Sequence, residues 1–312
     1  MVNSLSVCLP AYNEERCIGH TLDSVLCQDF PGKMEVLVDV NGSRDGTEKI
    51  VGEFAEIDLR VTLIVDPVMG KPRAWNTLIK KARNDIVIFI DGDEYHDPRS
   101  FNLIHQRLME TGKIGVSGNV IFCYNSAEGA IQKWQHVKRD DLNSSTFPFS
   151  GGLYGIHKNR LLDRMKELGL DGMPEEIINE DYFLSVVIGA RNRDFEDRAL
   201  AYHAVPGLVD EVRAKLRNSR GRRQIYERFP QLREEMARRN SGEKTFRLNK
   251  GLHTLYTIAQ SNPKEALQRS YSLATAILSA GIISLMTRYG RIRTLSSEWT
   301  TSRTTKKPIY AN

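Results

Sequence analysis

From its first residues the chain alternates short apolar runs with amphipathic stretches, a pattern that predicts strands alternating with helices. Ser4–Leu9 is an apolar run ending at Pro10, and Glu15–Cys27 carries Ile18, Leu22, Val25 and Leu26 at helical spacing. Met34–Val40 predicts a second strand, Asn41-Gly42-Ser43 a turn, and Thr47–Phe54 a second helix after Asp45-Gly46. Arg60–Val65 predicts a third strand. After a Gly70-Lys71-Pro72 loop, Ala74–Ala82 predicts a helix leading into a strand that starts at Ile86. This order predicts an α/β domain built on a doubly wound, mostly parallel sheet flanked by helices.

The middle of the chain is less regular. Ile114–Cys123 predicts a strand, Phe147–Ile156 a Gly-rich aromatic loop running into another, Asn179–Ile188 a helix with carboxylates in its first turn, and Ala199–His203 a short strand. A basic helical section follows, then the apolar window Leu273–Met286 and a Ser/Thr-rich tail, Thr294–Asn312.

The run Ile86–Ile90 is apolar on both faces, as in a buried parallel strand, and it enters Asp91-Gly92-Asp93 directly. Open α/β sheets bind ligands beyond the carboxyl ends of such strands. Two carboxylates at this spacing can offer oxygens to one divalent cation, which shares its other positions with phosphate oxygens. Read alone, the same tripeptide also makes an ordinary turn.

Composition narrows the picture. The 312 residues are 40% hydrophobic, which fits one large domain with additions and excludes a disordered chain. Cys8, Cys17, Cys27 and Cys123 lack the short paired spacing of a zinc site and are expected to be reduced thiols. The first residues follow a strand pattern with no basic segment and apolar stretch of a leader, so a cytoplasmic protein is expected. The net charge of +5 is uneven: Glu211–Lys250 holds thirteen Lys and Arg against five Glu, leaving the rest of the chain at −3. That asymmetry points to an anionic partner or to a solvated helical face.

Five segments, in order, are SVCLPAYNEE, NGSRDGT, GKPRAWNTLIKKARNDIVIFIDGDE, GGLYGI and NEDYFLS. Together they resemble the family 2 glycosyltransferases, GT-A-fold enzymes that use nucleotide-activated sugars, over about residues 4 to 225. The resemblance implies a catalytic domain over 1–210, with a nucleotide-binding part at 1–98 and an acceptor part at 99–210. A basic helical extension over 211–293 and a mobile tail over 294–312 complete the expected organisation.

Each segment has a physical reason beside the resemblance. Pro10, Ala11, Tyr12 and Glu14 follow the first strand at the ligand edge of the sheet, where Tyr12 can stack on a base and Glu14 accept from a ribose hydroxyl. After the second strand the family usually has two acids before Gly-Ser, and here Val40-Asn41 stands there. Asn41 offers a donor and an acceptor to a base, which leaves the base open, and Asp39 is set aside because alternate strand residues face opposite sides. Lys71 and Arg73 place cationic charge beside a helix N-terminus, as suits a diphosphate, and Asn76 occupies the family's usual Asn or is a surface amide.

The resemblance makes Asp93 a ligand of Mn²⁺ or Mg²⁺ and gives Asp91 and Gly92 to the ribose, the sugar or the ion's water shell. His203 is a further metal ligand or a packed histidine. Glu180-Asp181 matches the family's catalytic pair, with Asp181 as the base that deprotonates the acceptor and inversion at the anomeric carbon as the outcome. Gly151-Gly152-Leu153-Tyr154-Gly155 resembles the loop lining the sugar and acceptor site, while Trp134 and Phe149 are sugar-stacking or core residues.

Arg217, Arg220, Arg222 and Arg223 stand where processive membrane-embedded relatives carry Gln-x-x-Arg-Trp, and its absence favours single addition. The arginines could grip a phosphate of the donor or of the acceptor. Leu273–Met286 is too short to span a bilayer and is expected either at an anionic membrane surface or packed on the catalytic domain. The implied function is hexosyl or N-acetylhexosaminyl transfer from a nucleotide sugar, UDP favoured, to a small-molecule or lipid-linked glycan acceptor. One alternative places the reaction at the membrane on a polyprenyl-phosphate-linked acceptor. Nucleotidyl transfer fits poorly, because a phosphate loop rich in Gly and Lys is missing after the first strand. A nucleic-acid-binding module would leave all five segments unexplained, so no nucleic-acid partner is expected.

Overall fold

A computed structural model describes residues 3–125, 131–133, 149, 151–204 and 208–240. Strands and helices alternate through β1 (Ser4–Ala11), α1 (Ile18–Leu26), β2 (Lys33–Asn41), α2 (Thr47–Ile57), β3 (Val61–Asp66), α3 (Lys71–Lys81) and β4 (Ile86–Ile90). Then come β5 (Glu94–His96), α4 (Ser100–Thr111), β6 (Gly115–Asn125), β7 (Ile131–Lys133), β8 (Leu153–His157), α5 (Lys158–Glu167) and α6 (Glu180–Ile188). β9 (Arg193–Ala204), α7 (Leu208–Arg228) and α8 (Arg233–Asn240) complete the described chain.

The strands form one mixed sheet in the order β3-β2-β1-β4-β8-β6-β9-β5, with β7 on β6. β3, β2, β1 and β4 run parallel, as their two-sided apolar sequences predict. β8 is antiparallel to β4, so Ile90 pairs with Leu153 and the Gly151-Gly152 segment lies beside the strand end that leads into Asp91-Gly92-Asp93. β5 is antiparallel to β9 with Glu94 opposite His203. Apolar side chains pack on both faces. One core contains Ile18, Leu22, Val51, Phe101 and Ile104 from α1, α2 and α4; the other contains Trp75, Leu78, Leu161, Phe183 and Ile225 from α3, α5, α6 and α7.

Several boundaries differ from the sequence expectation. Lys71 is the first residue of α3, not part of a preceding loop, because Pro72 suits the first turn of a helix. Asn41 closes β2 in register with Asp66 of β3, and the turn begins at Gly42. At Gly42, with φ +65°, a Cβ would come within 2.7 Å of the Met69 backbone nitrogen. α4, α5 and β5 are not among the expected elements, although α4 buries Phe101, Ile104 and Leu108 and α5 buries Leu161 and Met165 at helical spacing, and β9 begins at Arg193, upstream of the expected Ala199. Phe149 is a core residue, with its ring 5.0 Å from that of Tyr154.

Trp134, Leu273–Met286 and Thr294–Asn312 lie outside the described residues, as does most of the expected extension. No helix among the described residues is long and apolar enough to cross a membrane. The basic section begins as α7, which is continuous with the catalytic fold through its packing on α6.

Candidate active site

The first two segments are stitched into one wall at the carboxyl edge of β1 and β2. Asn13, at φ 52°, takes the left-handed conformation that Asn tolerates. Its Oδ1 accepts from the Arg44 N–H at 2.9 Å, and its own N–H donates to Ser43 Oγ at 3.0 Å. The Glu14 N–H donates to Thr47 Oγ1 at 2.7 Å. Pro10 and Ala11 are backbone pairs of Asp39 and Val40, Tyr12 is half-buried above them, and buried Glu14 lies against Gly92, where a Cβ would meet its Cγ at 3.0 Å. These contacts join the wall to the Asp91-Gly92-Asp93 turn.

Asn41 is fully buried, and its amide is engaged by backbone at both ends. Nδ2 donates to the Ala11 and Asp39 carbonyls at 3.1 and 3.2 Å, and Oδ1 accepts from the Gly70 N–H at 3.1 Å. In this arrangement it links β1, β2 and the entry to α3. Asp39, expected to face the other side, lies two residues earlier on the same face as Asn41, because strand side chains repeat every second residue, and is fully buried with neither carboxylate oxygen hydrogen-bonded. Burial, with the charge of Asp66, pushes its pKa up to about 7 against the pull of Arg73 and Lys81. Arg73 turns away from Asp91: it holds Asp66 at 2.8 Å and reaches Glu175 at 3.6 Å.

The centre of the site is Lys71. Its Nζ lies 2.7 Å from Asp91 Oδ1 and 2.6 Å from Glu180 Oε1, joining the acid after β4 to the acid at the start of α6. Burial disfavours the ammonium, but the two carboxylates outweigh it and hold the lysine well above its usual pKa. Gly151 completes the group. A Cβ there would sit 3.4 Å from Lys71 Nζ, 3.5 Å from Asp91 Oδ2 and 3.8 Å from Asp181 Oδ2, so three charged groups converge on this backbone.

Asp181 and Glu180 are presented by the first turn of α6. Asn179 caps that helix, its Oδ1 accepting from the Tyr182 N–H at 3.0 Å, and the acids favour the helix N-terminus. Burial first, then the charge of Glu180, raises Asp181 to about 6, with Lys71 and Arg217 opposing. Burial works the same way on Glu180, but Lys71 overrides it and leaves that carboxyl below its usual value. Asn76, half-buried on α3, fixes the approach to this turn: Nδ2 donates to the Met173 carbonyl at 2.7 Å and Oδ1 accepts from the Met173 N–H at 2.9 Å.

On the other flank, the pairing of β5 with β9 brings Asp93 to His203, with Oδ2 3.4 Å from Nε2. Nδ1 lies 2.7 Å from the Ala204 carbonyl, which fixes Nδ1 as a donor and leaves Nε2 toward Asp93. Burial pulls the imidazole down, yet Asp93 and Glu94 outweigh it and raise its pKa to about 10. Glu94, which the sequence reading did not single out, is buried beneath Gly152, where any side chain would strike its carboxylate. Its Oε2 has no hydrogen-bond partner, and burial holds the carboxyl well above the usual range despite His203. The sequence signal was the fourth residue of Asp91-Gly92-Asp93-Glu94, which a three-residue strand turns inward.

Two half-buried carboxylates, an imidazole that would release its Nε2 proton on binding, and an unsatisfied buried carboxylate oxygen suit the donor preferences of a divalent cation such as Mn²⁺ or Mg²⁺. Among the described residues, no three His, Cys, Asp or Glu side chains are grouped closely enough to hold a metal alone.

A wall at the carboxyl edge of β1 and β2, an acidic strand end and a buried acidic helix start thus converge on Lys71. The sequence profile of glycosyl transferase family 2 matches residues 6–166, just over half the chain. The chain belongs to glycosyl transferase family 2. Among curated family members, it is 36% identical to glycosyltransferase AglE of Haloferax volcanii over 143 residues, 45% of this chain and 47% of AglE. It is 28% identical to the poly-beta-1,6-N-acetyl-D-glucosamine synthase of Staphylococcus epidermidis over 224 residues, 67% of this chain and 52% of the synthase. The chain thus spans about half the length of these two relatives. In structure it shares the GT-A fold of mannosyltransferase PcManGT from Pyrobaculum calidifontis, solved in complex with GDP-Man and Mn²⁺. That likeness has a TM-score of 0.57 at 21% identity, covering 88% of this chain and 86% of PcManGT. Staphylococcus aureus TarS in complex with UDP aligns at a TM-score of 0.50 and 17% identity, covering 97% of this chain and 95% of the TarS chain.

Proposed function

We propose that the protein transfers one hexosyl or N-acetylhexosaminyl unit from a nucleoside diphosphate sugar, UDP favoured, to an acceptor hydroxyl with inversion at the anomeric carbon. The observation that carries this reading is the Lys71 bridge, 2.7 Å from Asp91 and 2.6 Å from Glu180, which holds the nucleotide side and the base side of the site together. Tyr12 and the Asn13–Ser43 wall would take the base and ribose. In this reading Lys71 faces the diphosphate, and its charge is offset by the two acids until the donor arrives.

Asp181 accepts the proton of the attacking hydroxyl as oxygen bonds to the anomeric carbon. The bond from that carbon to the diphosphate breaks on the opposite face, so an α-linked donor gives a β-linked product. The shift of Asp181 toward about 6 suits a base that is ionised at neutral pH yet able to take a proton. Asp93, Asp91 and His203 would hold the divalent ion, and when bound it supplies positive charge to the departing diphosphate. Gly151 and Gly152 let the sugar approach the backbone closely.

A panel of UDP- and GDP-sugars, assayed for hydrolysis and binding with Mn²⁺ and with chelator, tests the reading. Cleavage of one donor that chelator abolishes is expected. If no nucleotide sugar is bound or cleaved, the proposal fails.

A further inference from the structure

The basic helix α7 carries seven Lys and Arg against three acids, and most of its cations near the site have visible work. Arg213 pairs with Asp210 at 3.3 Å, Arg223 with Glu227 at 2.7 Å and Arg228 with Glu176 at 3.1 Å. Arg222 lies over the Tyr182 ring, 5.1 Å from its centroid. The helix is docked by other groups: Asn179 Nδ2 donates to Asn218 Oδ1 at 3.1 Å, Gln224 accepts from the Ile178 N–H at 3.0 Å, and Gly221 sits where a Cβ would strike Asn179.

Arg217 and Arg220 differ from these. Both are half-buried, they lie three residues apart on neighbouring turns of one face, and among the described residues neither guanidinium makes a hydrogen bond or ion pair. Arg217 is close enough to Glu180 and Asp181 that its charge favours the ionised form of both. Neither carboxylate takes its hydrogen bonds: Glu180 is held by Lys71, and Asp181 accepts from the Tyr182 backbone. A half-buried guanidinium with its donors unmatched is costly and geometrically suited to a tetrahedral oxyanion. Two anions could come here, the donor diphosphate and a charged group on the acceptor. In-line displacement puts nucleophile and leaving group on opposite faces of the sugar, so a group anchored beside the base meets the acceptor.

We infer that Arg217 and Arg220 form an anion subsite for a phosphate group carried by the acceptor, close to the hydroxyl that is glycosylated. This rests on the transferase reading above. The phosphate can belong to a prenyl lipid or to a soluble polyol phosphate, which present the same oxyanion to the helix.

The test measures equilibrium binding to the full chain, with UDP and Mn²⁺ present, of two matched pairs: geranyl phosphate against geraniol, and ribitol phosphate against ribitol. At least one phosphate is expected to bind about tenfold or more tightly than its alcohol, and Arg217→Ala and Arg220→Ala should each bring that ratio toward one. Arg217→Lys should keep part of it. Because the readout is a ratio on one protein, a partly unfolded variant does not shift it. Preference within the geranyl pair alone assigns the lipid source, and preference within the ribitol pair alone assigns the soluble one. Equal binding of phosphate and alcohol by the wild type, or an unchanged ratio in both alanine variants, overturns the subsite. Loss of UDP affinity with the ratio intact also overturns it and gives the arginines to the donor. Acceptor-free donor hydrolysis, run in parallel, separates the two readings: a phosphate preference without hydrolysis removes the transferase reading, whereas hydrolysis without the preference removes only the subsite.

Discussion

Asp39→Asn should stabilise the protein above neutral pH and change little in mild acid. The carboxyl is fully buried on the α3 face of β2, has no hydrogen-bond partner, and is pushed by burial and by Asp66 from 3.8 to about 7. With the folded value above the unfolded one, the folded state holds the extra proton. The stability this contributes is complete below about 4 and lost as pH rises through about 7. Three pKa units correspond to about 4 kcal/mol in all, of which about 2 to 3 kcal/mol falls between pH 5 and 8. The Asn variant carries no titrating group there and escapes the loss. Urea unfolding of both proteins at a series of pH values measures it. The variant should gain on the wild type by about 2 to 3 kcal/mol across that interval. A stability difference that stays flat from pH 5 to 8 refutes a buried, partnerless carboxyl at this position.

Other residues give direct tests. Lys71→Met leaves Asp91 and Glu180 facing each other without their shared cation; a loss of about 3 kcal/mol in stability and a fall of at least tenfold in donor affinity are expected from thermal unfolding and nucleotide titration. Asn76→Ala removes both hydrogen bonds to Met173, so stability should fall by about 1 to 3 kcal/mol and kcat should drop with donor affinity nearly intact. With Asp181 near 6 in the free protein, kcat/KM should decline as pH drops below that value, because protonation removes the base, and Asp181→Asn should abolish this limb of the profile.

The first ninety residues were legible because β1, β2 and β4 are apolar on both faces and the helices between them carry a regular apolar stripe. The carboxyl ends of those strands therefore pointed to the Tyr12–Ser43 wall and to Asp91. Three later strands, β6, β8 and the end of β9, were also legible, but their pairing and the short β5 were not. β5 is three residues long, and no period can be read from it, yet its antiparallel pairing with β9 places His203 against Asp93 and turns Glu94 under Gly152. Asn41 shows a different limit. Its amide has the chemistry of a base reader, but the pairing of β2 with β1 and β3 gives its donors and acceptor backbone partners first. The role of Lys71 was half visible: a cation beside a helix start was legible, but not that one ammonium spans acids 89 positions apart in sequence, Asp91 and Glu180.

The central claim is that Asp181 is the base of a transfer reaction whose donor sits on the Asp91 side of Lys71. Steady-state turnover and UDP affinity of Asp181→Asn, measured on the same folded preparation with Mn²⁺, test it most directly. The account predicts a loss of about 10²- to 10⁴-fold in kcat with UDP affinity within a few-fold of wild type. Turnover retained at near wild-type rate in that variant would contradict it.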